Sequence, residues 1–196
     1  MLGQLRDRGV VTVGDLAKVS ENLLRLTFGE WGETLARRAR GQDARSVTTH
    51  EAVKSISRET TFEEDTTDSA RLESTLLHLT EDVCRRLRRQ RLEARTVTVK
   101  IRYSDFVTHT RSRTLRRPLD VDEVFFEEVL SLFREGRQRR YRIRLVGVGL
   151  SNLVARSWQD DLFDQDLPLL RDLDLKLDTI REKYGRDAVR RGAAEE

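Results

Sequence analysis

Lys54, Ser55, Ser57, Arg58 and Thr60 fall in one stretch, Lys54-Ser55-Ile56-Ser57-Arg58-Glu59-Thr60-Thr61. Two cations among small hydroxyls suit a row of phosphates. The cations supply charge, and short side chains let backbone N–H groups approach the anion. The plain alternative is an edge strand. Arg111-Ser112-Arg113, with Arg102 and Arg144 from neighbouring stretches, adds further guanidinium groups. If these arginines share a sheet face that no helix covers, they form one basic face, which fits an anionic partner. Phe28-Gly29-Glu30-Trp31-Gly32-Glu33-Thr34-Leu35 is a third candidate. A tight turn at Gly29 and Gly32 that opens a helix presents backbone N–H groups at the positive end of a helix dipole, a ready anion site. An ordinary corner between helices is its alternative. Gln159, Leu162 and Phe163 form a short motif on an acidic tail. It suits docking into an apolar pocket of a partner, although spacing alone favours a latch on the chain's own domain.

No residues are assigned to catalysis. His50, His78 and His109 have no triad spacing and no neighbouring nucleophile motif. Cys84 lies beside an apolar stripe and reads as a small buried thiol. Glu63, Glu64, Asp65 and Asp68 cluster where a strand gives way to a helix, and acids there serve the helix dipole rather than a metal. A phosphate loop of the GxxxxGK[ST] type is absent. One cysteine rules out an internal disulfide framework, and with three histidines it gives no plausible zinc spacing.

The 196 residues are 37% hydrophobic and 36% charged. That composition describes a soluble chain of one or two small domains with modest cores. No apolar run approaches the roughly 18 residues of a membrane helix, and no signal peptide is visible, so a cytoplasmic setting is expected. The net charge of +3 is unevenly spread. Residues 84–117 hold twelve basic side chains against Glu93 and Asp105, whereas residues 156–196 are net −3. An Arg-dominated field of this kind favours a polyanion such as nucleic acid, the alternative being a solvated helix face.

Elements with the right periodicity must hold these residues. Residues 1–46 read as short helices punctuated by Gly9, Gly29 and Gly41, and 47–52 as a polar linker. From Val53 the period changes to two, giving a strand through Phe62. Asp68 is a candidate N-cap for a helix whose stripe is Leu72, Leu76, Leu79, Val83 and Leu87. Alternation over 96–103 and 108–115 gives two more strands. Residues 120–133 form a second helix, and 141–150 a fourth strand. The order strand, helix, strand, strand, helix, strand predicts an α+β domain over 53–155, a four-stranded sheet with two helices on one face. In the tail, 156–196, Pro168 is expected to break continuous structure. Leu173, Leu177, Ile180 and Tyr184 mark one amphipathic helix, and Arg190 onward should fray.

Taken in order, these stretches resemble the C-terminal part of the Y-family translesion DNA polymerases, most closely the DNA polymerase IV group. The resemblance rests on Gly9-Val10-Val11-Thr12-Val13-Gly14-Asp15-Leu16-Ala17; on Phe28-Gly29 to Leu35 with Ala39-Arg40-Gly41-Gln42-Asp43; and on Lys54 to Phe62. It extends through Leu92 to Phe106, Thr108 to Leu115, and Arg144 to Leu153. The resemblance implies a partial helix-hairpin-helix-like thumb over 1–46 and a β-α-β-β-α-β little-finger domain over 53–155. The first would grip the minor groove of a primer-template duplex, and the second would lie across its major groove. Lys54, Ser55, Ser57, Arg58, Thr60, Arg111, Arg113 and Arg144 match the family's phosphate-contacting strands.

The resemblance also turns Gln159, Leu162 and Phe163 from a latch into a sliding-clamp motif of the form QxxLF. The implied partners are DNA and a sliding clamp, with no membrane, and the chain is expected to be a monomer. In the family, palm and fingers with acidic magnesium ligands precede the thumb. This sequence starts inside the thumb, so the expectation is a DNA-binding, clamp-docking part of a polymerase for DNA repair. It has no cofactor in this chain, magnesium belonging to the parent polymerase, and is inactive alone. The competing expectation is a protein-interaction adaptor whose basic sheet meets an acidic protein.

Overall fold

The computed structural model describes residues 2–46, 53–138, 140–156 and 166–192. The chain forms two compact units, Met1–Glu51 and Ala52–Glu196.

The first unit is helical: α1 (Leu2–Arg6), α2 (Val13–Lys18), α3 (Glu21–Phe28) and α4 (Glu30–Ala39). Thr12 and Asp15 form a reciprocal capping box, the Asp15 N–H donating to Thr12 Oγ1 at 3.1 Å and the Thr12 N–H to Asp15 Oδ2 at 3.0 Å. Leu24 and Ala36 are its buried apolar residues, one on each of the two longer helices.

The second unit carries β1 (Ser55–Thr66), α5 (Ser69–Arg89), β2 (Leu92–Tyr103), β3 (Thr108–Leu119), α6 (Asp122–Gly136), β4 (Ile143–Ala155) and α7 (Asp166–Tyr184). The strands make one sheet in the order β1-β4-β2-β3, every neighbouring pair antiparallel. The architecture is the α+β sheet with two helices that alternation and helical stripes predict. Asp68 caps α5 by accepting the N–H groups of Ala70 and Arg71 at 2.9 and 3.3 Å. The stripe Leu72, Leu76, Leu79, Val83 and Leu87 is buried against Val97, Val99 and Ile101 of β2 and Val146, Val148 and Leu150 of β4, with Phe125, Val129 and Leu132 of α6 in the same core.

The tail differs from its sequence expectation in three respects. Pro168 does not break the helix. It sits in the first turn of α7, where a missing N–H costs no hydrogen bond. The apolar stripe of α7 does not point inward: Leu173 is 47% and Tyr184 66% exposed, while Asp174 and Arg181 are buried. The helix is seated through its charged side. Arg181 Nη2 meets Glu81 Oε1 at 2.9 Å, and Arg171 pairs with Asp120. Nor does Arg191 fray, since its Nη2 lies 2.5 Å from Asp174 Oδ1. The fully buried residues of this helix are ions, not leucines.

Candidate nucleic-acid interface

Strand register decides which side chains share a face, because directly paired residues point the same way. On the helix side, Ile56, Leu150, Val97 and Arg113 form one row. The opposite side shows four rows: Ser55, Ser151, Thr96, Thr114; Ser57, Gly149, Thr98, Ser112; Glu59, Gly147, Lys100, Thr110; and Thr61, Leu145, Arg102, Thr108. The two helices of the β-α-β-β-α-β unit pack on the other face, against the buried valines and leucines of the strands. What remains is a polar surface of hydroxyls and glycines with Lys100 and Arg102 near one end.

Short polar contacts fix this surface. Thr96 and Thr114 share a 2.9 Å hydrogen bond between hydroxyls, and Asn152 Nδ2 donates to Thr96 Oγ1 at 2.8 Å. Arg102 Nε donates to Thr108 Oγ1 at 2.8 Å. Lys100 Nζ reaches Glu59 at 2.9 and 3.0 Å across the intervening strand. Gly147 occupies that intervening position, and a Cβ there would stand 2.7 Å from Glu59 Cγ. The glycine is therefore the space through which the two side chains meet.

The arginines predicted to form one basic face do not do so. Arg102 alone among them is on the uncovered side. Arg111 and Arg113 oppose Val99 and Val97, residues of the core face, so both point toward α6. Arg113 Nη1 is 2.6 Å from Glu128 Oε2 and its Nη2 2.5 Å from Glu135 Oε1. Those two carboxylates hold the Arg113 pKa above its ordinary value, and Arg113 in turn, with Ser131, lowers that of Glu135. The side chain of Arg111 runs beside Gly136. Arg144 sits where β4 slips against β2, its guanidinium 4.8 Å from the Phe106 ring centroid and 3.6 Å from Asp65. The sequence signal is ambiguous here because both sides of β3 are polar: Arg111 and Arg113 on one, Thr110, Ser112 and Thr114 on the other.

Strand β1 is split in the same way. Ser55 and Ser57 are exposed on the uncovered face. Arg58 and Thr60 oppose Val148 and Val146 on the helix side, and Arg58 Nη1 pairs with Asp82 Oδ2 of α5 at 3.0 Å. Lys54 is exposed just before the strand.

In the helical unit, Gly29 joins α3 to α4 with φ 64° and ψ −148°, a conformation reserved for glycine, and nothing crowds it. Its N–H donates to Arg25 O at 2.8 Å, and the N–H of Gly32 donates to Gly29 O at 2.9 Å. Both amides are thus engaged within the hairpin. Gly32 serves packing, since any Cβ there would overlap the carbonyl of Leu24, and the glycine thereby sets how closely α3 and α4 approach. Gln159, Leu162 and Phe163 lie outside the described residues.

The formal charge of 84–117 overstates the charge at the surface. Of its twelve cations, Arg88 is buried among Asp122, Asp174 and Asp178; Arg85 is paired with Asp82, and Arg113 with two glutamates. Cys84 is fully buried, and burial, followed by the Asp122 charge, pushes its thiol pKa up, which suppresses the thiolate. Among the described residues, no group of three or more His, Cys, Asp or Glu side chains could hold a metal ion. None of the described helices is long and apolar enough to cross a membrane.

Residues 53–162 match the family model described as the impB/mucB/samB family C-terminal domain. Three curated relatives carry the name DNA polymerase IV. That of Dehalococcoides mccartyi strain CBDB1 is 38% identical over 96% of this chain and 48% of its own length. The Methanoculleus marisnigri protein is 47% identical over 76% of this chain and 41% of its own. The Caulobacter vibrioides protein is 36% identical over 98% and 48%. The chain spans about half the length of these curated relatives.

Proposed function

We propose, from the premise that this chain belongs to the impB/mucB/samB family through its C-terminal domain, that it holds DNA for a translesion polymerase and reads no sequence in doing so. The observation that carries this reading is the uncovered sheet face. Its hydroxyls and glycines admit a phosphate backbone to within hydrogen-bonding reach of the strands, and Lys100 and Arg102 supply charge at one end. In the four rows Arg102 is the one fork-shaped side chain, and a single such group is no array for reading successive base edges. The relatives' shared name, DNA polymerase IV, supports a primer-template duplex as the ligand.

In the same reading, Gln159, Leu162 and Phe163 dock the chain onto a sliding clamp, and a cytoplasmic monomer serves DNA repair. The support for the clamp is the resemblance of Gln159, Leu162 and Phe163 to the family's C-terminal motif of the form QxxLF. Phe163→Ala is expected to abolish clamp binding and leave DNA affinity unchanged; joint loss would favour the latch instead. The central test is fluorescence anisotropy of the chain on a primer-template duplex at two salt concentrations. Affinity should fall steeply with salt and be indifferent to sequence. A flat salt response, or a strong preference for one sequence, would sink the proposal.

A further inference from the structure

On the helix side of β1, facing away from the hydroxyl surface, a cleft of about 340 Å³ opens between β1, α5 and the short 3₁₀ turn Arg186–Ala188 that follows α7. At its centre is one carboxylate serving three guanidinium groups. Asp82 Oδ1 meets Arg85 Nη2 at 2.5 Å, and Asp82 Oδ2 meets Arg58 Nη1 at 3.0 Å and Arg186 Nη1 at 3.1 Å. One negative charge cannot neutralise three. The neighbouring Glu81 is itself shared, by Arg181 at 2.9 Å and Arg191 at 3.3 Å, so it does not offset the cations gathered at Asp82. Burial lowers the Arg85 pKa against the opposing pull of Asp82 and Asp178, and Arg186 and Arg89 add repulsion. Leu79 and Val189 give the cleft an apolar wall, and His78 stands at its lining.

We infer that this cleft binds a phosphoryl anion on a small molecule, the guanidinium groups of Arg58, Arg85 and Arg186 closing on the anion from three elements. Guanidinium forks match phosphate oxygens in geometry and charge, and the volume falls at the low end of the range of about 300–1,000 Å³ typical of small-molecule sites. The site is completed by the segment after α7, since Arg186 comes from that turn. A phosphate of the DNA backbone has the same chemistry. The sheet separates the cleft from the hydroxyl face, however, so a freely diffusing phosphate ester or polyphosphate fits the placement better.

Inorganic tripolyphosphate is the probe, titrated calorimetrically into the full chain. Saturable one-to-one binding is expected. Arg186→Ala, at a half-exposed side chain, should weaken it by about tenfold, the loss of one charge-assisted contact, with Arg186→Lys intermediate. Arg134→Ala removes an equal charge outside the cleft, where Arg134 meets Glu73, and should leave binding unchanged. Equal loss in both variants, or no saturable binding to wild type, would overturn the inference. A melting curve of Arg186→Ala that matches wild type keeps folding out of the comparison. Competition with a duplex then separates the sources. Tripolyphosphate affinity unaffected by saturating DNA assigns the cleft to a small molecule, and mutual exclusion that Arg186→Ala weakens for both ligands assigns it to the DNA backbone and overturns the small-molecule assignment.

Discussion

The backbone N–H of Asp122, at the start of α6, donates to Asp174 Oδ2 of α7 at 2.9 Å, so two carboxylate residues 52 positions apart meet in the interior. Arg88 Nη1 lies 2.7 Å from Asp122 Oδ1 and 3.5 Å from Asp174, and its Nε 2.7 Å from Asp178. Arg191 closes the other side, 2.5 Å from Asp174 and 3.7 Å from Asp122. Two cations thus serve three buried or half-buried acids. Burial pushes the Asp122 pKa up to about 7, with Asp174 adding to the rise and Arg88 opposing it. The Asp174 pKa is raised for the same principal reason.

A carboxyl that holds its proton in the folded chain and loses it in the unfolded one makes stability fall as pH rises. The loss starts near the unfolded value of 3.8 and is complete near the folded value of about 7. Carboxylates with lowered values, Asp15, Asp43 and Glu135, act oppositely, but their contribution is in place once the pH exceeds the ordinary carboxylate range. Urea denaturation between pH 5 and 7 should therefore show declining stability of the second unit, and Asp122→Asn should flatten the slope. An unchanged slope in that variant would remove Asp122 from the account.

Removing Arg88 is expected to be the costliest single change in the tail interface. Its side chain is 3% exposed, and Arg88→Ala leaves Asp122 and Asp174 to Arg191 and takes from Asp178 the guanidinium that it holds. Breaking a buried pair from one side typically costs about 3–5 kcal/mol. Amide exchange should show α7 losing protection while the sheet keeps most of its own. A cost below about 1 kcal/mol would mean that the ion network does not seat α7.

The tail shows where sequence reading stops. Period and caps are legible wherever burial is apolar: Asp68, the stripe from Leu72 to Leu87, and the alternation of β2 all stand as read. In α7 the inward positions are Asp174, Arg181 and half-buried Arg171, whose partners come from α5, α6 and the strand between them. A sequence shows charges at helical spacing but not the opposite charges that will meet them, so the exposed leucines pass for the inner face. The basic strands mislead for a related reason. Alternation sorts a strand into two faces, and only packing says which face the helices take. Where one face is apolar, as in β2, the answer is plain, and where both are polar, as in β3, it is not.

The two glycines of the helical hairpin should fail for different reasons. Gly29→Ala meets open space but must hold φ 64°, a strain of about 1–3 kcal/mol. Gly32→Ala has ordinary helical surroundings but drives a methyl into the Leu24 carbonyl, forcing α3 and α4 apart. The second change is expected to destabilise the first unit more, because backbone cannot yield as a side chain can. Differential scanning calorimetry should show the loss in the transition of the first unit alone. If Gly29→Ala is the worse, backbone strain and not helix approach limits this hairpin.

The uncovered face makes a sharper demand. Lys100 spends its charge on Glu59, the only acidic side chain in the four rows, and both are only partly exposed. If DNA lies on this face, Glu59 repels it directly and also withholds the cation it needs. Glu59→Gln removes the charge at nearly constant shape, so duplex affinity should rise and the salt dependence should steepen by about one phosphate contact. Lys100→Ala and Arg102→Ala should each weaken binding and shallow the slope by about the same amount. Arg113→Ala should do less, since its guanidinium already holds Glu128 and Glu135 on the other side of the sheet. The opposite ranking, with Arg113 dominant and Glu59→Gln neutral, would move the duplex from the hydroxyl face to the β3 edge beside α6.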